Sequence, residues 1–384
     1  MFIALVSDCY LPRLGGIEVQ VADLAAQLRA AGHTVLVLTA TPGPPLDGVL
    51  RLPAPVPLGV PINPWGRPAL RGALRRADVV HVHLGLLAPF AGMAVDVATE
   101  LGIPTVLTWH SLVGGNPLTP VMAPSWRRWV AAGAVPTAVS STVARQLQVA
   151  LGGQDVHLLR NGLDLSAWRI SSEPTVGAAD HRSALTRRPL HVVSAMRFAL
   201  RKRPTRLIAM IADVRATMSV QDRPRLTIFG NGPWLPPLRQ LVGRSDLAEW
   251  VVLPGRVTRE GLLDRYRDAD LYVAPARAEA FGIAALEARS AGLPVAGYAA
   301  SGLRDIVQPG RGGILADDDA DLVWHVRALL QDHDRRQAMA AHHRQHPLYA
   351  HDWPQVTAAT VEVYRRSCGD ESTRGQPSAQ GRWT

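Results

Sequence analysis

Short apolar runs rich in Val, Ile and Thr alternate with helix-periodic segments along nearly the whole chain, and no other feature limits the fold as much. Residues 2–6, 35–39, 79–83, 105–108 and 137–139 read as strands of a first series. Between the first two, residues 18–31 place Val21, Leu24, Ala25 and Leu28 on one helical face, and Gly32 supplies the stop. A second series begins at 191–195 and continues through 226–229, 251–253, 271–274 and 295–297. Such a rhythm implies parallel strands joined by right-handed crossovers. At 384 residues the chain is also too long for one ordinary core.

The expectation is therefore an α/β protein of two Rossmann-like, doubly wound domains facing across a cleft. Its ligand would sit outside the carboxyl ends of the strands. Residues 1–170 form the first domain and 188–346 the second, with a polar, patternless linker from about 171 to 188. A last amphipathic helix over 353–367, with Val356, Ala359, Thr360 and Val363 as its apolar face, joins the first domain. The Gly/Ser-rich tail, 368–384, is expected to be disordered.

A hydrophobic fraction of 47% against 19% charged residues excludes a disordered chain. No apolar run is long enough to span a bilayer, and the first residues lead straight into a strand without a basic segment. Two cysteines, Cys9 and Cys368, are too few for a disulfide framework, which suits a reducing interior. The expected location is the cytoplasm, with peripheral contact on the inner membrane face. The net charge of +9 is carried by arginine almost alone, since Lys202 is the single lysine. That charge reads either as an ordinary solvated surface or as attraction to phosphates of a nucleotide or an anionic membrane. Two segments fit a membrane surface: Arg67, Arg71 and Arg75 at helical spacing, and Trp126-Arg127-Arg128-Trp129. Nucleic-acid binding is not indicated, because no compact basic run interleaves with aromatics.

Chemistry concentrates after three strands. Glu279-Ala280-Phe281-Gly282-Ile283 leads from a strand into a helix that carries Glu287, so two carboxylates flank a helix start whose free N–H groups favour an anion. Hydroxyls of a sugar and of a ribose on either side of a bound phosphate fit that layout. Arg197 and Lys202 follow the strand at 191–195 and could neutralise a diphosphate leaving group. Gly15 and Gly16 follow the first strand, where glycines serve either a turn or close approach to a phosphate. Phe229-Gly230-Asn231-Gly232-Pro233 reads as a turn; Gly255-Arg256-Val257 could present backbone to a nucleobase. His110 ends a strand, where a structural role competes with ligand contact. No cluster has trustworthy metal-ligand spacing, and neither a P-loop nor a nucleophile elbow occurs.

Taken in order, these segments resemble the family-4 retaining glycosyltransferases of the GT-B fold, over nearly the whole chain. The most specific match is the pair of glutamates, Glu279 and Glu287, with Phe281-Gly282 between them, in register with Arg197 and Lys202. The resemblance implies a glycosyltransferase of the hexosyltransferase type, moving a sugar from a UDP- or GDP-linked donor to an acceptor hydroxyl on a glycan, lipid or small metabolite. It assigns Arg197 and Lys202 to the diphosphate, Glu287 to the ribose, and Glu279 with the backbone of Phe281, Gly282 and Ile283 to the transferred sugar and its phosphate. Gly15 and Gly16 would close on the phosphate, His110 would contact the sugar near the reacting centre, and Arg256 and Val257 would meet the base. No cofactor or metal is required in this reading; the nucleotide sugar is a substrate. Departures from the common pattern are Ala195-Met196 before the arginine, Arg203-Pro204 after the lysine where glycine is frequent, and Asp305 in place of Glu. Rival readings are a sugar-nucleotide epimerase or phosphorylase on the same plan, or a non-catalytic nucleotide-sugar or lipid-binding protein.

Overall fold

The computed structural model describes residues 1–13, 15–54, 62–169 and 188–369. The segment read as a linker, apart from its last residue, lies outside the described residues, as does the tail beyond 369. The chain divides into two compact units: Met1–Gly162 with Trp353–Thr384, and Leu163–Asp352.

In the first unit the elements run β1 (Phe2–Ser7), α1 (Gly16–Ala30), β2 (Thr34–Thr39), β3 (Val49–Arg51), α2 (Arg67–Leu74), β4 (Val79–Leu84) and α3 (Pro89–Glu100). They continue through β5 (Thr105–Trp109), α4 (Thr119–Ala131), β6 (Val135–Ala138), α5 (Ser141–Ala150) and β7 (His157–Leu158). The second unit runs β8 (His191–Ala195), α6 (Pro204–Ala216), β9 (Arg225–Phe229), α7 (Leu235–Gly243), β10 (Val251–Gly255) and α8 (Arg259–Arg267). Then come β11 (Leu271–Val273), α9 (Ile283–Ser290), β12 (Val295–Tyr298), β13 (Gly313–Ala316), α10 (Asp319–Gln331) and α11 (His333–Gln345). The last helix, α12 (Trp353–Ser367), belongs to the first unit.

The first sheet has the order β3-β2-β1-β4-β5-β6-β7 and the second β10-β9-β8-β11-β12-β13, with parallel pairing throughout. Each sheet reverses its direction of growth once, between β1 and β4 in one unit and between β8 and β11 in the other. Loops diverge at such a switch point and leave a crevice at the carboxyl ends of the two strands. Strands covered by helices on both faces need no polar alternation, and all six residues of β4 are buried.

The three strands absent from the sequence reading, β3, β7 and β13, are short or glycine-led edge elements. They hold position by pairing with a neighbour rather than by a pattern of their own. The face of α12 also differs from expectation. Trp353, Val356, Thr357, Thr360, Val361 and Tyr364 are buried, whereas Ala359 faces solvent. Burial of its large side chains against Leu24, Leu28 and Val106 in one core cluster contributes about 2 kcal/mol each.

The two basic segments read as membrane-facing are partly committed elsewhere. Trp126 and Trp129 are buried, at 2% and 6% exposure, so their indoles are core. Arg128 pairs with Asp96 at 2.7 Å, and Arg67 and Arg71 both pair with Glu100. The spacing of these arginines suits a shared acid as well as it suits a lipid surface.

Candidate active site

At the switch point of the second sheet, β8 leads into a loop ending in a short 3-10 turn, Leu200–Lys202, and β11 leads into the segment carrying Glu279. The Lys202 ammonium donates to the Glu279 carboxylate, with about a fifth of each side chain exposed. Residues 77 positions apart are thus joined across the crevice. Glu287 lies one helical turn into α9 and is buried to 9% exposure. Between the strands, Tyr272 donates its hydroxyl to the carbonyl of Ala195 at 3.2 Å. Burial, reinforced by the negative charge of Glu279 and Glu287, pushes its phenol well above the usual range, so it stays a donor.

Gly282 precedes α9 in a left-handed conformation (φ 98°, ψ 61°), which an L side chain rarely adopts. That turn aims the start of the helix at the crevice, where its first N–H groups lack intrahelical acceptors. Ile283 is the first residue of the helix. Phe281 is buried with its ring 5.1 Å from that of His351, so its side chain packs inward. Arg197 lies exposed on the β8 loop with no recorded side-chain partner among the described residues, and Arg256 is exposed beyond β10, beside half-buried Val257.

The loop bearing Arg197 is held by the turn after β9. Phe198 N–H donates to the Asn231 carbonyl at 3.0 Å, and Trp234 N–H to the Phe198 carbonyl at 3.1 Å. Gly230 and Gly232 therefore serve a backbone-to-backbone contact that positions the neighbouring cation loop.

In the first unit, Gly15 is extended (φ −172°) ahead of α1, and Gly16 is exposed as its first residue. At that unit's switch point, the Asp8 carboxylate accepts the N–H groups of Phe90 (3.0 Å) and Ala91 (3.1 Å) at the start of α3. Its burial pushes the carboxyl up to about 6, against the lowering effect of those bonds. An anion position at a helix start is here filled by the chain itself.

His110, half-buried at the end of β5, is not isolated. Its Nε2 lies 3.0 Å from Nδ1 of His83, and the tilted ring of His81 is centred 4.2 Å from that of His83. The three rings line a cavity of about 30 Å³ with Gln20, Thr108 and Asn161. Burial depresses all three: His81 to about 3, His110 to about 4, and His83 well below its ordinary value. They are neutral at physiological pH and present ring nitrogens rather than positive charge. Among the described residues no group of His, Cys, Asp and Glu could hold a metal ion.

Sequence reasoning gave no role to three residues that brace the crevice of the second unit. Arg203, Arg277 and Asp319 form a cluster next to Lys202 and Glu279. The acid at a helix start and the unusual arginine after the lysine were visible, but nothing linear relates positions 116 residues apart.

Two doubly wound parallel units in one chain are the layout of the GT-B glycosyltransferases. The family model described as Glycosyltransferase Family 4 matches residues 14–167, and that described as Glycosyl transferases group 1 matches 179–346. A GDP-mannose-dependent alpha-mannosyltransferase of Mycolicibacterium smegmatis is 29% identical, covering 97% of this chain and 100% of the relative. A D-inositol 3-phosphate glycosyltransferase of Xylanimonas cellulosilytica is 30% identical, covering 92% of each. Among solved structures, HepE of Anabaena in complex with UDP superimposes with a TM-score of 0.76 at 17% identity, over 95% of this chain and 99% of that one, a likeness of fold. The chain belongs to glycosyltransferase family 4 and uses a nucleotide sugar as donor.

Proposed function

We propose that the enzyme transfers a hexose from a nucleoside diphosphate sugar to an acceptor hydroxyl with retention of anomeric configuration. The observation that carries this reading is the Lys202–Glu279 pair across the β8/β11 crevice. An incoming diphosphate would take the ammonium, together with Arg197 and the first N–H groups of α9, and free Glu279 to accept a sugar hydroxyl. Glu287 would accept from the ribose, and Gly15, Gly16, His110, Arg256 and Val257 keep the roles set out for them above. With Glu279 engaged by a sugar hydroxyl, departure and attack on the same face of the sugar are favoured over a covalent glycosyl-enzyme. These cations stabilise the leaving diphosphate without an obligatory metal, so transfer should persist in chelator.

For the donor we propose GDP-mannose, supported by the name of the mycobacterial relative, with UDP-glucose as the comparison. For the acceptor we propose a polyol or glycan hydroxyl presented at a membrane surface. The inositol phosphate in a relative's name supports the polyol, and exposed Leu118 and Val121 at the start of α4 support the surface.

The test is incubation with GDP-mannose or UDP-glucose and a panel of polyols and lipid-linked glycans, with the anomeric configuration of product read by NMR. Glu279→Ala should lose transfer while the protein stays folded. Inverted product, or donor turnover indifferent to any acceptor, would overturn the proposal.

A further inference from the structure

Asp319, the first residue of α10, draws in side chains from several directions. Arg203 donates to it twice, Nη1 to Oδ1 at 3.0 Å and Nη2 to Oδ2 at 2.6 Å. Arg206 Nε donates to Oδ2 at 2.8 Å, Arg277 Nε to Oδ1 at 3.0 Å, and the Tyr298 hydroxyl to Oδ1 at 2.7 Å. Arg203 also reaches the carbonyl of Pro275 at 3.2 Å, just past the end of β11. Two of the three arginines come from the two loops of the crevice. Arg203 directly follows Lys202, and Arg277 lies two residues before Glu279.

The outer members of this cluster add little stability. Arg206 and Arg277 are 45% and 53% exposed, where ion pairs contribute little. Arg203 is the only non-glycine residue at positive φ among the described residues (φ 56°, ψ 44°). A glycine would take that conformation without strain, so the arginine is favoured only by what its side chain holds.

We propose that Asp319, acting through Arg203 and Arg277, is a positioning residue that sets the placement of Lys202 against Glu279, and thereby the affinity for the donor's diphosphate. This rests on the assignment of Lys202 and Glu279 to the donor site. The guanidinium fork fixes two distances at once, which a lysine could not do. Loss of the carboxylate frees both loops together, so its partners act as one unit rather than as independent contacts.

The experiment uses the full chain with Asp319→Asn, Arg203→Gly and the double variant. It reads the dissociation constants of GDP and UDP by calorimetry, donor KM and kcat, and the melting temperature. Each single variant should weaken nucleoside diphosphate binding about tenfold, with donor kcat/KM falling in parallel, and the double variant should be no worse than the more severe single one. A lowered melting temperature with nucleotide affinity and kcat/KM within about twofold of the parent would show a mere helix staple and overturn the inference. Arg277→Ala, at an exposed position, reads the same property if Arg203→Gly does not fold. Lys202→Ala separates the two levels. If it does not weaken nucleotide binding, the donor-site assignment fails and this inference with it; if it does while Asp319→Asn does not, only the positioning role fails.

Discussion

The hydroxyl of Tyr364 on α12 lies 2.7 Å from Nδ1 of His81 on β4, joining residues 283 positions apart. The protons of the network around it can be assigned by elimination. Thr137 donates to the Leu107 carbonyl at 3.0 Å, so its hydroxyl must accept from Thr108 at 2.6 Å. Thr108 then accepts from His81 Nε2 at 2.7 Å, which leaves Nδ1 bare and Tyr364 as its donor. Removing the tyrosine hydroxyl strands a buried acceptor. Tyr364→Phe should therefore cost about 1–2 kcal/mol in urea unfolding, with faster amide exchange along α12. A change below about 0.5 kcal/mol would mean that the hydrogen bond contributes little.

The histidines set an acid limit on stability. Burial depresses His81 to about 3 and His110 to about 4, and lowers His83 likewise, with further repulsion between rings at His81 and His83. Their unfolded values lie near 6.5, so the unfolded chain takes up the extra protons as pH falls. The stability is complete above about pH 6.5 and is lost as pH drops toward the folded values, at about 1.4 kcal/mol per pH unit for each ring concerned. Urea midpoints measured at pH 7.5, 6 and 5 should fall in that order.

Asp8 works in the opposite sense. Its carboxyl is raised by burial to about 6, above the unfolded value of 3.8, so its contribution is present below pH 3.8 and lost as pH rises through 6. In the parent it offsets part of the histidine effect between pH 4 and 6. Asp8→Asn should make the acid loss in that window steeper by about 1.4 kcal/mol per pH unit. An unchanged slope would mean that Asp8 titrates as an exposed acid.

The fold was legible because parallel strands buried on both faces write themselves as near-continuous apolar runs, as β1 and β2 do. Edge strands are specified by a partner, which is why β3, β7 and β13 left no such mark. In the site, residues within one loop or one helix turn, such as Glu279, Gly282 and Glu287, could be read from spacing. The tryptophans of α4 misled because an indole beside arginines has the same linear signature in a core as on a lipid surface. Asp8, His83 and Asp319 gain their meaning only when crossovers bring distant loops together, and composition holds no trace of that.

The turn after β9 offers a test of how backbone fit supports the site. Gly230 and Gly232 have φ values of 126° and 156°, where an L residue is strained. A Cβ at 230 would collide with the Met196 carbonyl, and one at 232 would sit 2.8 Å from the Phe198 nitrogen. Both obstacles are backbone and cannot swing aside. Gly232→Ala should thus cost about 2 kcal/mol or more and, by displacing the Arg197 loop, weaken nucleoside diphosphate binding as well. Gly243, at the end of α7, is the control, since nothing lies within 4 Å of its added Cβ and its φ is not positive. Gly243→Ala should be neutral or stabilise the protein by up to about 1 kcal/mol, with nucleotide affinity unchanged. Similar melting temperatures and affinities for the two alanine variants would show that the contact between the two loops does not hold the cation in place.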